Sequence, residues 1–389
     1  VGADCKHHFN SADVRNCPYD YYKRYYSICV FEARKEEGIL KKLKWKEEMV
    51  VPSTFIICSI ICFFLSGISL TFLTEQVALR FIRNVILVLA LILPITAGMG
   101  LNFAVVLGTM LTQASFIFVL NMNMTGGKGA VFVLVFALIA AALIGAVVGK
   151  LMNIVKGREM VTSIVIGFLA NYIYQLIFVA GFGTVIPVKN EKLVLGTGVG
   201  VKNMLDLKTF KEVFDNLGVF TIGNAKISVV LLVIIALTGA FIFYVMNTRF
   251  GQKVRAVGMS SEKAANIGID VDRTRMTVII LSSVIAALGQ FVYLQNIGSL
   301  NVYTEHLDTE KFACAALLAG GASIKKANVR NAFFGVILLH TLFVLSPLAG
   351  QNAFNNVSLG EYFRTFVAYG TIAFALVMNI HIERKRENK

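Results

Sequence analysis

Residues 84–127 read NVILVLALILPITAGMGLNFAVVLGTMLTQASFIFVLNMNMTGG, a run without a single Asp, Glu, Lys or Arg. At about 1.5 Å of helical rise per residue it crosses a hydrocarbon core of roughly 30 Å about twice. Pro94, Gly98 and Gly100 mark where it turns or breaks. Similar charge-free runs extend from Val51 to Thr74, Gly129 to Gly149, Met160 to Val188, Ile227 to Thr248, Met276 to Thr304, Phe312 to Ile324, Asn331 to Gly360 and Thr365 to Ile382. The expectation is an all-α, polytopic membrane protein of about ten transmembrane helices, including broken or half-length ones such as the short run at Phe312.

Composition agrees. The chain is 56% hydrophobic and 15% charged, yet carries a formal net charge of +14, so its charges are confined to connections. So many apolar helices exceed what one soluble core can hide, whereas a bilayer accepts them when their backbone hydrogen bonds close internally. Lys and Arg cluster at Lys41 to Lys46, Lys150 to Arg158, Arg249 to Arg275, Lys325 to Arg330 and Arg384 to Arg386. With ten spans these segments share one side, which the positive-inside rule makes cytoplasmic together with both termini. Arg80 and Arg83, counted near Glu75 on the outer side, are the exception, explained if one early span is wrongly divided.

The domain reading is a segment 1–50, a transmembrane domain 51–382 with an external loop 187–224 and a cytoplasmic loop 249–275, and a tail 383–389. Met204 to Leu217 in the external loop has apolar residues at helical spacing. About fifty polar residues precede the first apolar run, which does not fit a cleavable signal peptide. This head is rich in Tyr and Cys; it is either a small extra element or sequence upstream of a natural start near Met49. The six cysteines are read as structural or incidental, and no metal site is expected.

Motifs for catalysis are absent. The chain has no GxxxxGK[ST] phosphate loop, no HExxH, no CxxC pair and no G-x-S-x-G elbow. Carboxylates are expected only at span edges, as at Glu159 and Glu361, which leaves no titrating relay for a proton-driven pump. No cofactor is expected in the chain itself, nor a nucleic-acid partner; any ATP would be bound by partner subunits. Candidates to line a solute path are inward hydrogen-bonding groups: Asn102, Thr109 and Gln113 at i, i+7 and i+11; Asn171 and Gln175 at i, i+4; and Ser282, Gln290 and Tyr293. Neutral amides and aromatics suit a sugar ring or a nucleoside. The same groups can instead hold helices together.

The loop RFGQKVRAVGMSSEKAANIGIDVDRTR from Arg249 to Arg275 is the strongest functional signal. Thr248-Arg249-Phe250-Gly251, Arg255-Ala256-Val257-Gly258, Ala264-Ala265 and Gly268-Ile269, then Ser283, Ala287 and Gly289-Gln290, resemble in order the permease subunits of ATP-binding-cassette importers. The branch serves ribose, galactose, nucleosides and, more distantly, branched-chain amino acids. Ala315 to Gly321 is similar to a later segment of that family. Thr96 to Gly108 sits where relatives carry a Gly-rich broken span, without their GGxDLSVG wording. Glu159 to Ser163 with Asn171-Tyr172 is similar to a stretch of the nucleoside-type permeases. The resemblance covers roughly 51–382.

What the resemblance implies is an importer subunit of the bacterial cytoplasmic membrane working by alternating access. Its partners would be two cytoplasmic ATP-binding subunits, a second copy or sister permease, an extracytoplasmic substrate-binding protein, a small polar solute and membrane lipid. Arg255, Glu262, Ala264, Ala265 and Gly268 would form the coupling site. On physical grounds, a small flat face at Ala264 and Ala265 can enter a groove on an ATPase, with Arg255, Lys263, Arg273 and Arg275 pairing with acidic residues there. Alternatives are a branched-chain amino acid permease, or a stand-alone secondary carrier, which an inverted internal repeat would favour.

Overall fold

The computed structural model describes residues 49–378 apart from 216, 224, 357, 367, 368, 371, 372, 375 and 376. The chain divides at Val50 into two units, the first of which lies, but for Met49 and Val50, outside the described residues.

The first apolar run does not make one span. Helix α1 (Val50–Ser66) stops at Gly67, whose φ of +65° suits glycine, and Ser69 caps α2 (Leu70–Ala90) by accepting from the Phe72 amide. Arg80 and Arg83 therefore lie inside a helix, not in a connection. Arg83 is tolerated because its Nε donates to Asn296 Oδ1 at 2.6 Å. Glu75 is buried on the same helix, against the expectation of carboxylate-free spans.

The decisive run bends at Leu91 into α3 (Ile92–Thr96). Pro94 has no N–H to give the Ala90 carbonyl, and Ser282 Oγ fills that acceptor at 2.8 Å. Gly98 and Gly100, both at positive φ, turn the chain into a 3-10 turn (Phe103–Val105) and α4 (Val106–Asn121). Then follow α5 (Gly126–Ile154) and α6 (Glu159–Leu176), which ends in a π turn (Ile177–Gly181).

The long connection after α6 is irregular. It holds β1 (Met204–Asp206), α7 (Lys208–Asp215), β2 (Val219–Ile222) and β3 (Ala225–Ser228). The helix expected from Met204 begins only at Lys208, because 204–206 pair antiparallel with β4 (Ser299–Asn301), a partner that local spacing does not reveal. The remaining helices are α8 (Val229–Asn247), α9 (Arg249–Met259), α10 (Ser261–Asn266), α11 (Val271–Ile297), the half-length α12 (Thr309–Ala319) and α13 (Val329–Phe354). Residues 358–366 are helical.

Among the described residues seven helical segments are long and apolar enough to cross a membrane: 70–96, 103–121, 126–154, 159–181, 229–247, 271–297 and 329–354. The chain is thus an all-α, multi-pass membrane protein, and α1, α12 and the helix from 358 bring the helices to the expected count. Contacts sort the connections to two ends. At one, Gly98 meets Gly258, Gly100 meets Ile324, and Met152 and Glu159 meet Arg275. At the other, Asn121 binds the Pro187 carbonyl, β1 pairs with β4, and Asn352 binds the Leu65 and Ser66 carbonyls. Helix α11 runs through the middle, packed on α2, α4 and α5. Small residues at those crossings, including Gly108 against Ser283 and Gly145 against Ile280, let the backbones approach closely.

Candidate functional site

Of the eight path candidates, three converge. Gln113 on α4 meets Asn171 and Gln175 of α6 around a residue absent from the sequence-based set, His306, in the connection between β4 and α12. His306 Nδ1 stands 3.0 Å from Gln113 Oε1 and Nε2 2.7 Å from Asn171 Oδ1. Gln175 Nε2 donates to Asn171 Oδ1 at 3.3 Å, and the Tyr174 hydroxyl lies 3.3 Å from Gln113 Oε1. The Tyr174 ring packs edge-on to His306 at 4.9 Å between centroids and against Phe178 at 4.5 Å.

His306 is fully buried, and burial pushes its pKa down to about 4, so the ring is neutral near pH 7. A neutral imidazole donates through one nitrogen only. Donation from Nε2 suits Asn171 Oδ1, leaving Nδ1 to accept. Gln113 satisfies it when its amide is turned to present Nε2, an atom otherwise without a partner among the described residues.

Asn171 and His306 border a cavity of about 270 Å³ between α4, α6 and α12. Phe103, Met110 and Gly167 form its apolar wall. Asp308, Glu310, Lys311 and Tyr369 line its other side. Asp308 and Lys311 are ion-paired, and the Tyr369 hydroxyl donates to Asp308 Oδ1 at 3.3 Å. Glu310 Oε2 is buried without a partner among the described residues. The site can therefore offer amide, imidazole and carboxylate groups to a small polar molecule held against an apolar wall.

The other five candidates stand elsewhere. Thr109 and Gln113 share a face of α4, but Asn102 does not, because the helix begins at Val106 and Asn102 caps the preceding 3-10 turn, accepting from the Ala104 amide at 3.1 Å. Thr109 Oγ donates to the Val106 carbonyl at 2.7 Å in the core. Ser282 satisfies Ala90 as described, Tyr293 donates to Glu305 Oε1 at 2.6 Å, and Gln290 is buried within the bundle. Their α11 faces its neighbours, not the cavity. The sign of His306 in the sequence was its place among Glu305, Asp308 and Glu310, immediately before a helix too short to span.

The loop 249–275 folds as α9, α10 and the first turn of α11. Ser260 caps α10, its Oγ accepting from the Lys263 amide. Gly268, at φ +83°, closes it: its amide binds the Ala265 carbonyl at 2.9 Å and the Ile269 amide that of Ala264 at 3.0 Å, the double bond typical of a glycine-terminated helix. Ala264 and Ala265 do not form one outward face, since Ala264 is buried. The exposed tip is Met259, Glu262, Ala265, Ile267 and Gly268, and a side chain added at Gly268 would meet open space. Arg255 turns back to the Met246 carbonyl, and Arg275 is buried in a pair with Glu159. Neither is presented as the sequence reading expected.

The chain belongs to the branched-chain amino acid transport system / permease component family, whose model matches residues 73–376. It is similar to the probable ABC transporter permease protein YphD of Escherichia coli, 27% identical over 49% of this chain and 54% of that one. It is likewise similar to the fructose import permease protein FruG of Bifidobacterium longum (26%; 62% of this chain, 64% of that one). A third relative is the galactose/methyl galactoside import permease protein MglC of Haemophilus influenzae (26%; 59% and 62%). The chain thus spans between about half and two thirds of the length of these relatives. No solved structure matches it.

Proposed function

We propose that this chain is the transmembrane subunit of an ATP-driven importer that moves a small polar solute, a simple sugar or a nucleoside, by alternating access. The observation that carries the reading is the cluster of Gln113, Asn171 and His306 at a cavity inside a membrane-spanning bundle. The groups are neutral, directional and partly unsatisfied, which suits hydroxyl-rich, uncharged solutes. The sugar-import names of the relatives support the same class. A branched-chain amino acid is the second reading, favoured by Glu310 at the cavity wall, whose Oε2 has no partner among the described residues and suits an ammonium group.

In this reading the exposed tip of α9 and α10 faces the cytoplasm of a bacterium and docks ATP-binding subunits, which perform all hydrolysis. Both termini are cytoplasmic. The opposite end, with the 187–224 connection, receives solute from an extracytoplasmic binding protein, and a second permease completes the assembly. The test is uptake by the assembled complex in liposomes, with labelled sugars, nucleosides and amino acids offered in turn. The reading expects ATP-dependent uptake that falls about 10-fold or more with Asn171→Ala or His306→Ala while the ATPase stays bound. Unchanged uptake in both variants would remove the cluster from the path.

A further inference from the structure

At the end of the bundle that carries α9 and α10, the first turn of α11 is bound to the α5–α6 corner by more than packing. Arg275 Nη2 pairs with Glu159 Oε1 at 2.5 Å, the two side chains being 5% and 11% exposed. Its Nη2 also donates to the Met152 carbonyl at 3.3 Å and its Nε to Asn153 Oδ1 at 3.1 Å. Asn153 Nδ2 returns a bond to the Asp272 carbonyl at 2.8 Å, and Lys156 pairs with Asp272 at 2.5 Å. On the α10 side the connection is short and closed at both ends, by the Gly268 turn and by Asp270, whose Oδ1 accepts from the Arg273 amide at 3.0 Å.

Glu159 is the first residue of α6, and Asn171 stands twelve positions along the same helix, about 18 Å away at helical rise. Ser163, one turn above Glu159, accepts from the Phe103 amide at 3.1 Å, which ties the same helix to the base of the segment that carries Gln113. Helix α6 is otherwise the least enclosed of the long apolar spans, with only Ser163, Asn171 and Tyr174 buried along Glu159–Leu176. Its remaining contacts are with the 3-10 turn, α4 and the His306 connection, that is, with the walls of the cavity.

We propose that the Glu159–Arg275 pair is a permanent rivet that makes α10, the start of α11 and α6 one moving body, so that displacement of the loop by a partner is delivered to the cavity. Glu159 and Arg275 are then positioning residues; neither touches solute. The proposal rests on the reading that α9 and α10 dock an ATPase. A buried pair held by several bonds is suited to the role, because opening it during the cycle would strand a guanidinium away from water.

The test uses the complete complex in nanodiscs. Spin labels at Lys263→Cys on α10 and Val161→Cys on α6, in a background lacking the native cysteines, should report the same separation in the nucleotide-free and ATP-bound states. A change of more than about 3 Å, the scale of a helix shift, would overturn the rivet. In parallel, Glu159→Gln should lower solute moved per ATP hydrolysed roughly 10-fold in the assembled complex, with the ATPase still bound. The double variant Glu159→Leu/Arg275→Met should recover most of that ratio, since apolar packing keeps the joint closed whereas Gln opposite an uncompensated buried guanidinium does not. A normal ratio in Glu159→Gln, or no recovery in the folded double variant, would contradict it. Absence of any ATPase from the wild-type complex would instead sink the importer reading itself.

Discussion

The two ends of α6 are built from polar groups in opposite ways. At its start, Glu159 and Arg275 are buried as a matched ion pair, with Arg275 also bound to Met152 and Asn153 and Asn153 to the Asp272 carbonyl. Near its other end, Asn171 and His306 are also buried but border a cavity, with Gln113 bound behind them and Glu310 Oε2 nearby without a partner among the described residues. A buried network with every bond made holds a shape; one with bonds left over has something to offer a ligand. In the proposed function, the difference separates a joint from a binding site along one helix.

Breaking the joint should have the largest effect on stability. Glu159→Ala leaves Arg275 without its carboxylate and is expected to cost about 3–5 kcal/mol, seen as a large drop in the thermal midpoint in detergent. An unchanged midpoint would mean the pair is not closed in solution. Next comes the crossing at Gly258. A side chain there would run into the Thr96 carbonyl, so Gly258→Ala should cost about 1–3 kcal/mol by overpacking and impair coupling, as read by transport per ATP hydrolysed.

Ser282→Ala should cost only about 1 kcal/mol, the loss of the bond to the Ala90 carbonyl, and leave the affinity for solute unchanged. A raised solute KM would restore Ser282 to the path. The cavity end should respond in the converse manner. Asn171→Ala should shift the midpoint by no more than about 1–2 kcal/mol while transport falls, because the groups left behind can be reached by water through the cavity. Loss of fold in that variant, with no separable loss of transport, would erase the contrast between the two ends.

The spans were legible because lipid forbids stray charge, and the run from Asn84 to Gly127 shows one whole crossing, the second half of another and the break between them at Pro94, Gly98 and Gly100 without help. What was hidden depended on partners far along the chain. Arg80 and Arg83 concealed α2, since only the tertiary structure shows Asn296 receiving Arg83. Ser282 looked like a solute ligand because the carbonyl it satisfies was vacated by a proline of another helix. Asn171 and Gln175 were found from simple i, i+4 spacing, which survives any tertiary arrangement. His306 was missed because an acidic stretch between spans reads as an outer loop, whereas here its centre is folded inward. Arg275 was read as a free surface charge for the same reason that hid Arg83.

The central claim is that this permease works with a separate ATPase held at the exposed tip of α9 and α10. The direct measurement is affinity purification of the chain from native membranes in mild detergent, with the associated ATP-binding subunit quantified by mass spectrometry, for wild type and Ala265→Glu. The account predicts a stoichiometric ATP-binding subunit with the wild type and its loss with the variant, whose new carboxylate would lie on the outward face. A chain that purifies alone and still moves solute in liposomes without ATP would contradict the account and make the protein a carrier.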